Sequence, residues 1–332
     1  MVLGAHSAPR TISADSTGGE MTVLAAYPER RRTWWQKIWD ARAAYLFILP
    51  AYIPFIVFVL YPLINGLRLS FYEAGVNKAK WRFIGFDNFV RLFTRDDVFI
   101  IALKNTFLFV LIVVPVVVVI SIFLAVIVFP LPRAAQSFVR MSFYMPVVSG
   151  GVVLAMVWIW IFNRDFGLLN YLLEIAGFYK LLGIPKIGWL AQTETALLSL
   201  AMVVISWSIG QPLILFLAAL GNISEELYDA AKIDGASGWQ IFWKITLPLL
   251  RPTTLFVLVT TTINVFQVFV VVLLMTLGGP ANATQTIVYR IYENAFVFYK
   301  YGYGAAMGVV LLLIVGSIAY FQFKLLGQEV EY

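Results

Sequence analysis

Cysteine is absent from the 332 residues, and histidine occurs only once, at His6. The first absence excludes disulfide bonds, thiolate metal sites and a cysteine nucleophile. The second argues against a histidine metal site or general base, because His6 lies in a stretch without periodicity that predicts a disordered tail. No G-x-x-x-x-G-K-[ST] loop occurs either, so any ATP that drives this protein must be bound by another chain.

Charged residues are also scarce: 13% of the chain is charged and 61% is hydrophobic, whereas a soluble domain carries about 25% charged residues. Six windows contain no Asp, Glu, Lys or Arg, and each is long enough for the about 20 helical residues that cross a bilayer. They predict an all-α membrane protein with six transmembrane helices. The windows are Ala43–Leu67, Asn105–Pro132, Met141–Asn163, Thr195–Ser224, Pro252–Tyr289 and Tyr301–Phe323.

These windows divide the chain into a membrane domain and two tails. Residues 1–43 are expected to form an N-terminal tail, which ends in an interfacial helix over Thr33–Ala44 because its tryptophans recur at helical spacing. The membrane domain covers 44–327, and 328–332 form a C-terminal tail. The expected spans are 44–67, 106–129, 141–162, 195–217, 252–274 and 304–325, and a short amphipathic helix is expected around Leu168–Leu182 in the loop before the fourth span.

One amphipathic stretch, Ser224–Pro252, interrupts the apolar windows and predicts two short helices around a glycine. Ser224 is placed to cap the first helix, and the acidic residues after it suit the positive end of the helix dipole. Gly235 breaks the helix where the chain needs a positive φ. A second helix is expected over Ser237–Thr246, with Pro248 ending it.

This stretch resembles the EAA loop of ATP-binding-cassette (ABC) importer permeases. The family pattern is E-A-A, three residues, G, nine residues, I, one residue, L-P. It is matched here by Ala230-Ala231, Gly235, Ile245 and Leu247-Pro248, with Asp229 in place of Glu. The resemblance implies a cytoplasmic coupling helix, within 224–250, that docks into a separate ATPase. The implied coupling residues are Glu226, Asp229, Ala230, Ala231, Asp234, Gly235 and Trp239.

The alternative is an amphipathic helix that lies on the bilayer surface. It explains the Trp and Phe content of the stretch, but neither its small-residue face nor the position of its glycine.

Two further stretches resemble the sugar-type branch of these permeases. The segment Phe83–Phe89 is similar to the F-[IV]-G-x-D-N-[FY] stretch after the first span, and Gly278-Gly279-Pro280, Ile291-Tyr292, Ala295-Phe296 and Gly302–Ala306 fit a C-terminal pattern. The resemblance implies the type I ABC importer permease fold and uptake of maltose-type sugars, oligosaccharides or glycerol phosphates. It also implies a second permease chain, with a heterodimer favoured, two ATPase subunits that bind ATP and Mg, and an extracytoplasmic substrate-binding protein. No cofactor is expected in this chain itself.

In similar permeases the substrate contacts come from the helices before and after the EAA loop. Residue by residue, this implicates Ser206, Gly210, Gln211, Thr261, Asn264 and Gln267. Independently of the resemblance, Thr260, Asn264 and Gln267 share one helix face. The alternative is structural: Ser and Thr bond their own helix backbone, and Asn and Gln link helices.

The basic residues do not decide the orientation, because twelve would lie on each side of the membrane with both termini inside. The resemblance places the EAA loop, and hence both termini, in the cytoplasm of a bacterium, with the chain in its inner membrane. The formal net charge of +6 is explained by anionic headgroups rather than by nucleic acid.

Two other functions compete with ABC import. An ion-coupled secondary transporter of a neutral solute generally has intramembrane Asp, Glu or His relays, and the six windows contain none. A membrane-embedded enzyme would need a catalytic His, Cys or carboxylate pair there. No catalytic residue and no metal site is therefore predicted, and the chain is expected to be a transport subunit.

Overall fold

Helices account for nearly all of the described structure, which is a computed structural model covering residues 42–326. The chain divides into two compact units, Met1–Phe58 and Val59–Tyr332. The described part of the first unit is helix α1 (Arg42–Phe55) and the start of a π-helical turn (Ile56–Leu60). The expected interfacial helix Thr33–Ala44 and both terminal tails lie almost entirely outside the described residues.

The second unit continues with helices and one short antiparallel hairpin, in which Tyr72 pairs with Phe83 and Glu73 with Arg82. Three π-helical turns, Phe242–Thr246, Val272–Thr276 and Glu293–Val297, interrupt the later helices. The elements in chain order are α2 (Tyr61–Leu69), β1 (Tyr72–Glu73), β2 (Arg82–Phe83), α3 (Asp87–Thr94), α4 (Asp97–Val128), α5 (Arg133–Ser149), α6 (Gly151–Ile161), α7 (Leu168–Ile175), α8 (Phe178–Leu182), α9 (Thr193–Ser208), α10 (Gly210–Gly221), α11 (Glu225–Ile233), α12 (Gly238–Ile241), α13 (Leu247–Leu249), α14 (Arg251–Phe266), α15 (Ile287–Tyr292) and α16 (Tyr301–Leu326).

Six membrane spans are present if each sharply bent helix pair counts as one. The described residues contain three continuous helices that are long and apolar enough to cross a bilayer, Tyr45–Leu69, Asp97–Val128 and Tyr301–Leu325. Three bent pairs supply the others: α5 with α6, α9 with α10, and Gly238–Leu249 with α14. This agrees with the six spans predicted from the charge-free windows.

The bends have local causes. The pair α5–α6 bends by 101° at Gly150, whose φ of +80° favours glycine. The expected third span, 141–162, is therefore broken in the middle. The pair α9–α10 bends by 42° at Ile209, between the two helices, because Pro212 lacks the N–H that would donate a helical hydrogen bond to the Ser208 carbonyl four residues earlier.

Several helices extend beyond the charge-free windows that predicted them. Helix α4 begins at Asp97, nine residues before the expected start, because the Asp96 side chain accepts a 2.9 Å hydrogen bond from the Phe99 N–H and caps it. Its 32 residues span about 48 Å. The window criterion misses such ends because a helix that leaves the hydrocarbon core tolerates charge there.

The centre of the second unit is α4, which packs against α9, α10 and α14. Phe109, Val113 and Val117 of α4 are fully buried, as are Leu213 and Phe216 of α10. Because lipid tails are as apolar as these side chains, close van der Waals packing rather than the hydrophobic effect holds such helices together in a bilayer.

The loop before the fourth span is organised by a buried asparagine. The predicted helix over Leu168–Leu182 is two helices, α7 and α8, because Gly177 takes a φ of +74° between them. Asn170 of α7 is 1% exposed. Its side chain makes four hydrogen bonds at 2.5–2.9 Å, donating to the carbonyls of Arg164 and Ile187 and accepting from Tyr179 Oη and Trp189 Nε1.

A partly buried ion pair joins the start of α4 to α15. Arg290 Nη2 lies 3.2 Å from Asp96 Oδ1, and Tyr303 Oη of α16 donates a 2.8 Å hydrogen bond to Asp96 Oδ2. Arg290 also lies 3.4 Å from Glu293 Oε2. Burial by itself would raise the pKa of Asp96, but the hydrogen bonds from Tyr303 and the Phe99 N–H, together with Arg290, lower it.

Candidate functional site

The first part of the candidate site is a helical elbow, residues 224–250, made of α11, a turn and the helix Gly238–Leu249. Ser224 caps α11 by accepting a 3.3 Å hydrogen bond from the Glu226 N–H. Gly235 has a φ of +75°. Ser237 begins the second helix with a capping box to Gln240. These features confirm the two helices and the glycine turn predicted from the sequence.

The expectation that Pro248 ends the second helix is wrong, because the helix continues to Leu249. The π-helical turn Phe242–Thr246 precedes Pro248, and the Leu247 N–H reaches back to the Phe242 carbonyl. Pro248 then falls in the first turn of α13, where its missing N–H costs little.

The surface of the elbow is open. Six of the seven predicted coupling residues, Glu226, Asp229, Ala230, Asp234, Gly235 and Trp239, are exposed, and Ala231 is partly exposed. Beside them the apolar side chain of Ile233 is 87% exposed. Asp229 pairs with Lys232 at 3.0 Å, but both side chains are exposed and the pair adds little stability.

The second part of the candidate site is a pair of adjoining cavities between the helices that flank the elbow. The near cavity, about 280 Å³, is lined mainly by α10 and α14, including Gln211, Thr260 and Thr261. The far cavity, about 340 Å³, is lined mainly by α9, the end of α14 and the residues that follow it, including Gln267 and Phe269. Both cavities share Val147, Trp207, Ser208, Asn264 and Val265.

Three carboxamides face these cavities without a protein partner. The side chains of Gln211, Asn264 and Gln267 are exposed, and among the described residues none of them makes a hydrogen bond to the protein. A polar group at membrane depth is costly unless it is partnered or faces water. These side chains are therefore available to a solute in the cavities.

Two other polar side chains, Ser206 and Thr260, already make hydrogen bonds within the protein. Ser206 donates to the Val203 carbonyl at 2.6 Å and accepts from Trp158 Nε1 at 3.2 Å. Thr260 donates to the carbonyl of Phe256 at 2.7 Å. For these two hydroxyls the structural interpretation describes the geometry better than a substrate contact does.

The last two predicted residues differ, because Thr261 lines a cavity and Gly210 does not. Thr261 is buried but lines the near cavity. Gly210 is buried outside both linings, where a Cβ would lie 2.2 Å from the Phe143 carbonyl oxygen of α5. Gly210 thus permits two helices to approach, and four of the six predicted substrate residues (Gln211, Thr261, Asn264 and Gln267) come together at the cavities.

Sequence reasoning missed other lining residues. Trp207 and Ser208 stand among the intramembrane polar residues but were not selected, although they line both cavities. Pro146 and Val147 of α5 contribute because α5 ends at the 101° bend. The Gly150-Gly151 pair was the available signal for that bend.

No charged side chain lines either cavity in the described part of the chain. Over residues 42–326, moreover, no group of three or more His, Cys, Asp or Glu side chains could hold a metal ion. The arrangement suits passage of a neutral, hydroxyl-rich solute rather than covalent chemistry.

Comparison with known sequences gives consistent matches. Residues 117–332 match the family model described as "Binding-protein-dependent transport system inner membrane component". The chain is 37% identical to the probable ABC transporter permease protein YesP of Bacillus subtilis, over 88% of this chain and 93% of that one. It is 36% identical to the lactose transport system permease protein LacF of Rhizobium radiobacter, over 84% and 92%. It is 32% identical to the sn-glycerol-3-phosphate transport system permease protein UgpA of Agrobacterium fabrum, over 87% and 96%.

Comparison with solved structures agrees. A chain of a bacterial ABC transporter involved in import of the acidic polysaccharide alginate superposes with a TM-score of 0.74 at 25% identity, covering 90% of this chain and 99% of that one. A chain from the alginate transporter in complex with a pentasaccharide-bound periplasmic protein gives a TM-score of 0.72 at 26% identity, over 88% and 96%.

Proposed function

The chain belongs to the binding-protein-dependent transport system inner membrane component family, and from this premise we propose how it works. It is the permease subunit of an ABC importer for a carbohydrate or a related polyol phosphate. In this proposal ATP, with Mg, is bound and hydrolysed by separate partner chains. This chain converts their movement into alternating access across the membrane.

One observation carries the mechanism: the elbow is continuous with both helices that line the cavities. Helix α10 enters the elbow, and α14 leaves it after a 66° bend. Tyr228 Oη and Thr246 Oγ1 lie 3.3 Å apart and link the two arms of the elbow. A force on α11 is therefore transmitted to the two walls that carry Gln211 and Asn264.

The elbow has the features of a docking element. Ala230 and Ala231 are small, so a partner surface can approach the backbone of α11 closely. Ile233 and Trp239 provide exposed apolar anchors of the kind that dominate interfaces. A helix that lies on the bilayer surface is the alternative, but it does not explain why acidic residues, Glu225 and Glu226, occupy the first turn of α11.

The substrate class follows from the relatives and from the cavities together. The printed names of the relatives refer to lactose, sn-glycerol 3-phosphate and starch degradation products. The three free carboxamides supply donors and acceptors to hydroxyl groups. We therefore assign Gln211, Thr261, Asn264 and Gln267, with Trp207 and Ser208, to the substrate path.

The proposed assembly contains a second permease chain, preferably a different one, two ATPase subunits and an extracytoplasmic binding protein. The last is supported by the family description and by the complex of the alginate transporter with its periplasmic protein. The chain lies in the bacterial inner membrane. In the proposed orientation the elbow and both termini face the cytoplasm.

The test is reconstitution of the complete transporter in proteoliposomes with the variant Ala230→Glu. A charged, longer side chain on the exposed face of α11 should prevent docking. The ATPase should no longer co-purify with the permease, and binding-protein-stimulated ATP hydrolysis and uptake should be lost. The matched control is Ala134→Glu, because Ala134 is an exposed alanine at the start of α5, on the same side of the membrane.

Uptake that survives ATP depletion but follows an ion gradient would overturn the proposal in favour of an ion-coupled transporter. Wild-type coupling in Ala230→Glu would refute the docking role of the elbow.

A further inference from the structure

A row of aromatic rings leads from the surface opposite the elbow to the far cavity. Phe296 is 65% exposed, and its ring lies 5.7 Å from that of Tyr292, with the two planes at 30°. Tyr292 in turn lies 5.1 Å from Phe269, which lines the far cavity. Tyr292 and Phe269 are both partly exposed. We call Phe296, Tyr292 and Phe269 the aromatic row.

The chain builds this row with irregular backbone. Phe269 lies in the non-helical break between α14 and the next helical turn, and Phe296 lies in the π-helical turn Glu293–Val297. Non-helical backbone at membrane depth is tolerated where it lines a cavity, and π-helical turns are frequent at functional sites. The row thus uses the places where the regular helix is interrupted.

Contacts with Tyr289 fix two rings of the row, Tyr292 and Phe269. Tyr289, 5% exposed, packs against Tyr292 and Phe269 at 6.3 and 6.5 Å. Arg290 of the same helix makes the partly buried ion pair with Asp96. Such a fixed row loses little conformational entropy when a ligand stacks on it.

The charges near the row are unfavourable for an anion. Arg290 lies between two carboxylates, Asp96 and Glu293, so these three groups carry a formal charge of −1. Glu293 also accepts a hydrogen bond from Gln285. Burial, followed by the charge of Glu293, raises the pKa of Tyr289.

A sugar ring has the complementary chemistry. Its C–H face is apolar and suits an aromatic ring, while its hydroxyl groups suit the carboxamides of Asn264 and Gln267 beyond Phe269. A phosphate or carboxylate would meet no cation in either cavity lining, and an unpaired charge is costly there.

We propose that Phe296, Tyr292 and Phe269 form the extracytoplasmic entry path for an uncharged sugar ring and deliver it to the far cavity. The inference rests on the proposed import function and narrows its substrate class to neutral ring sugars.

The first experiment uses the full transporter with its binding protein in proteoliposomes. The probes are radiolabelled lactose, maltotriose and sn-glycerol 3-phosphate, and the readout is solute delivered per ATP hydrolysed. Tyr292→Leu and Phe296→Leu should each lower the ratio for the neutral sugar by about tenfold, the value expected for losing a good aromatic contact. Binding-protein-stimulated ATP hydrolysis should persist.

Two control variants separate ring stacking from general damage. Tyr292→Phe keeps the ring and should keep the ratio. Phe298→Leu removes an aromatic residue of the same loop that is also exposed, at 50%, but lies outside the row, and it should also keep the ratio. A wild-type ratio in both leucine variants would overturn the proposal, as would delivery of sn-glycerol 3-phosphate as the preferred probe.

A second experiment does not depend on the identity of the sugar. The chain has no cysteine, so Tyr292→Cys, Phe296→Cys and Phe298→Cys each introduce a single thiol. Membrane-impermeant methanethiosulfonates, one uncharged and one anionic, are added from outside to the assembled transporter. The thiols of Tyr292→Cys and Phe296→Cys should both react. At these two positions the rate of reaction with the anionic reagent, divided by the rate with the uncharged one, should be lower than at Phe298→Cys. The difference is expected because Lys300 Nζ lies 5.7 Å from the native Phe298 ring.

A thiol at position 292 that stays unreactive throughout the ATP cycle would refute the entry path. A different result would show that the proposed import function itself is wrong: ATP hydrolysis by the wild-type transporter would then not respond to the binding protein.

Discussion

The close approach of α10 to α5 at Gly210 allows a sharp prediction about the variant Gly210→Ala. The added Cβ would lie 2.2 Å from the Phe143 carbonyl oxygen, 2.9 Å from its carbonyl carbon and 3.0 Å from Val147 Cγ2. Ordinary contact begins at 3.4 Å, so the two helices must separate locally by about 1 Å. The obstacle is backbone, which cannot rotate away.

Overpacking of this kind costs about 1–3 kcal/mol. The separation would also move Val147, which lines both cavities. We therefore expect Gly210→Ala to lower the midpoint of thermal unfolding by a few degrees and to reduce transport. Unfolding is followed by tryptophan fluorescence of the purified transporter, and transport is followed in proteoliposomes.

Gly221→Ala is the matched control, since Gly221 ends the same helix and its Cβ would make only an ordinary contact, 3.8 Å from Phe129 Cε2. This variant should unfold like the wild type. If Gly210→Ala also unfolds like the wild type but loses transport, the packing argument is refuted, and the sequence-based assignment of Gly210 to the substrate path regains support.

Three further predictions concern single side chains. Asn264→Ala should lower the uptake per ATP at sub-saturating substrate without changing the unfolding midpoint, because the side chain is exposed to both cavities; unchanged uptake would remove it from the path. Asn170→Ala should destabilise the chain by about 2–4 kcal/mol, since it leaves several buried groups unpaired. Transport by the protein that remains folded should be near normal. An unfolding midpoint equal to that of the wild type would contradict the role of Asn170 in organising the loop before the fourth span. Because the pKa of Asp96 is lowered below its ordinary value of 3.8, its ionised form stabilises the fold above that value, and this stability is lost as the pH falls through the lowered pKa. Asp96→Asn should therefore unfold more easily at pH 7 but show a weaker dependence on acid pH; an equally steep acid transition in the variant would exclude Asp96 as its source.

The sequence predicted the features that depend on neighbouring residues. The charge-free windows identified six spans because a chain in lipid must satisfy its backbone hydrogen bonds within apolar helices. Ser224 and Gly235 indicated the elbow, since a helix cap and a positive φ are local requirements. The motif around Asn88 was also visible, although only the structure shows why: the buried side chain donates to the carbonyls of Ser70 and Tyr72 at 2.8 and 3.1 Å.

The candidate substrate residues could be predicted only in part. Asn264 and Gln267 were selected because polar residues at helical spacing share a face. The resemblance to permeases also selected Ser206, whose hydroxyl is occupied by Val203 and Trp158, and it did not select Trp207. Which side of a helix faces a void depends on the helices around it, and periodicity does not contain that information.

The sequence by itself therefore determined the number of spans, the elbow and the family pattern, because each is encoded in composition or in contiguous spacing. Only the tertiary structure decided where the spans bend, which carboxamides remain unpaired, why position 210 admits no side chain, and that Phe269, Tyr292 and Phe296 form one row. These features bring together residues separated by up to 67 positions, such as Phe143 and Gly210. The packing of whole helices, rather than any local preference, sets their distances.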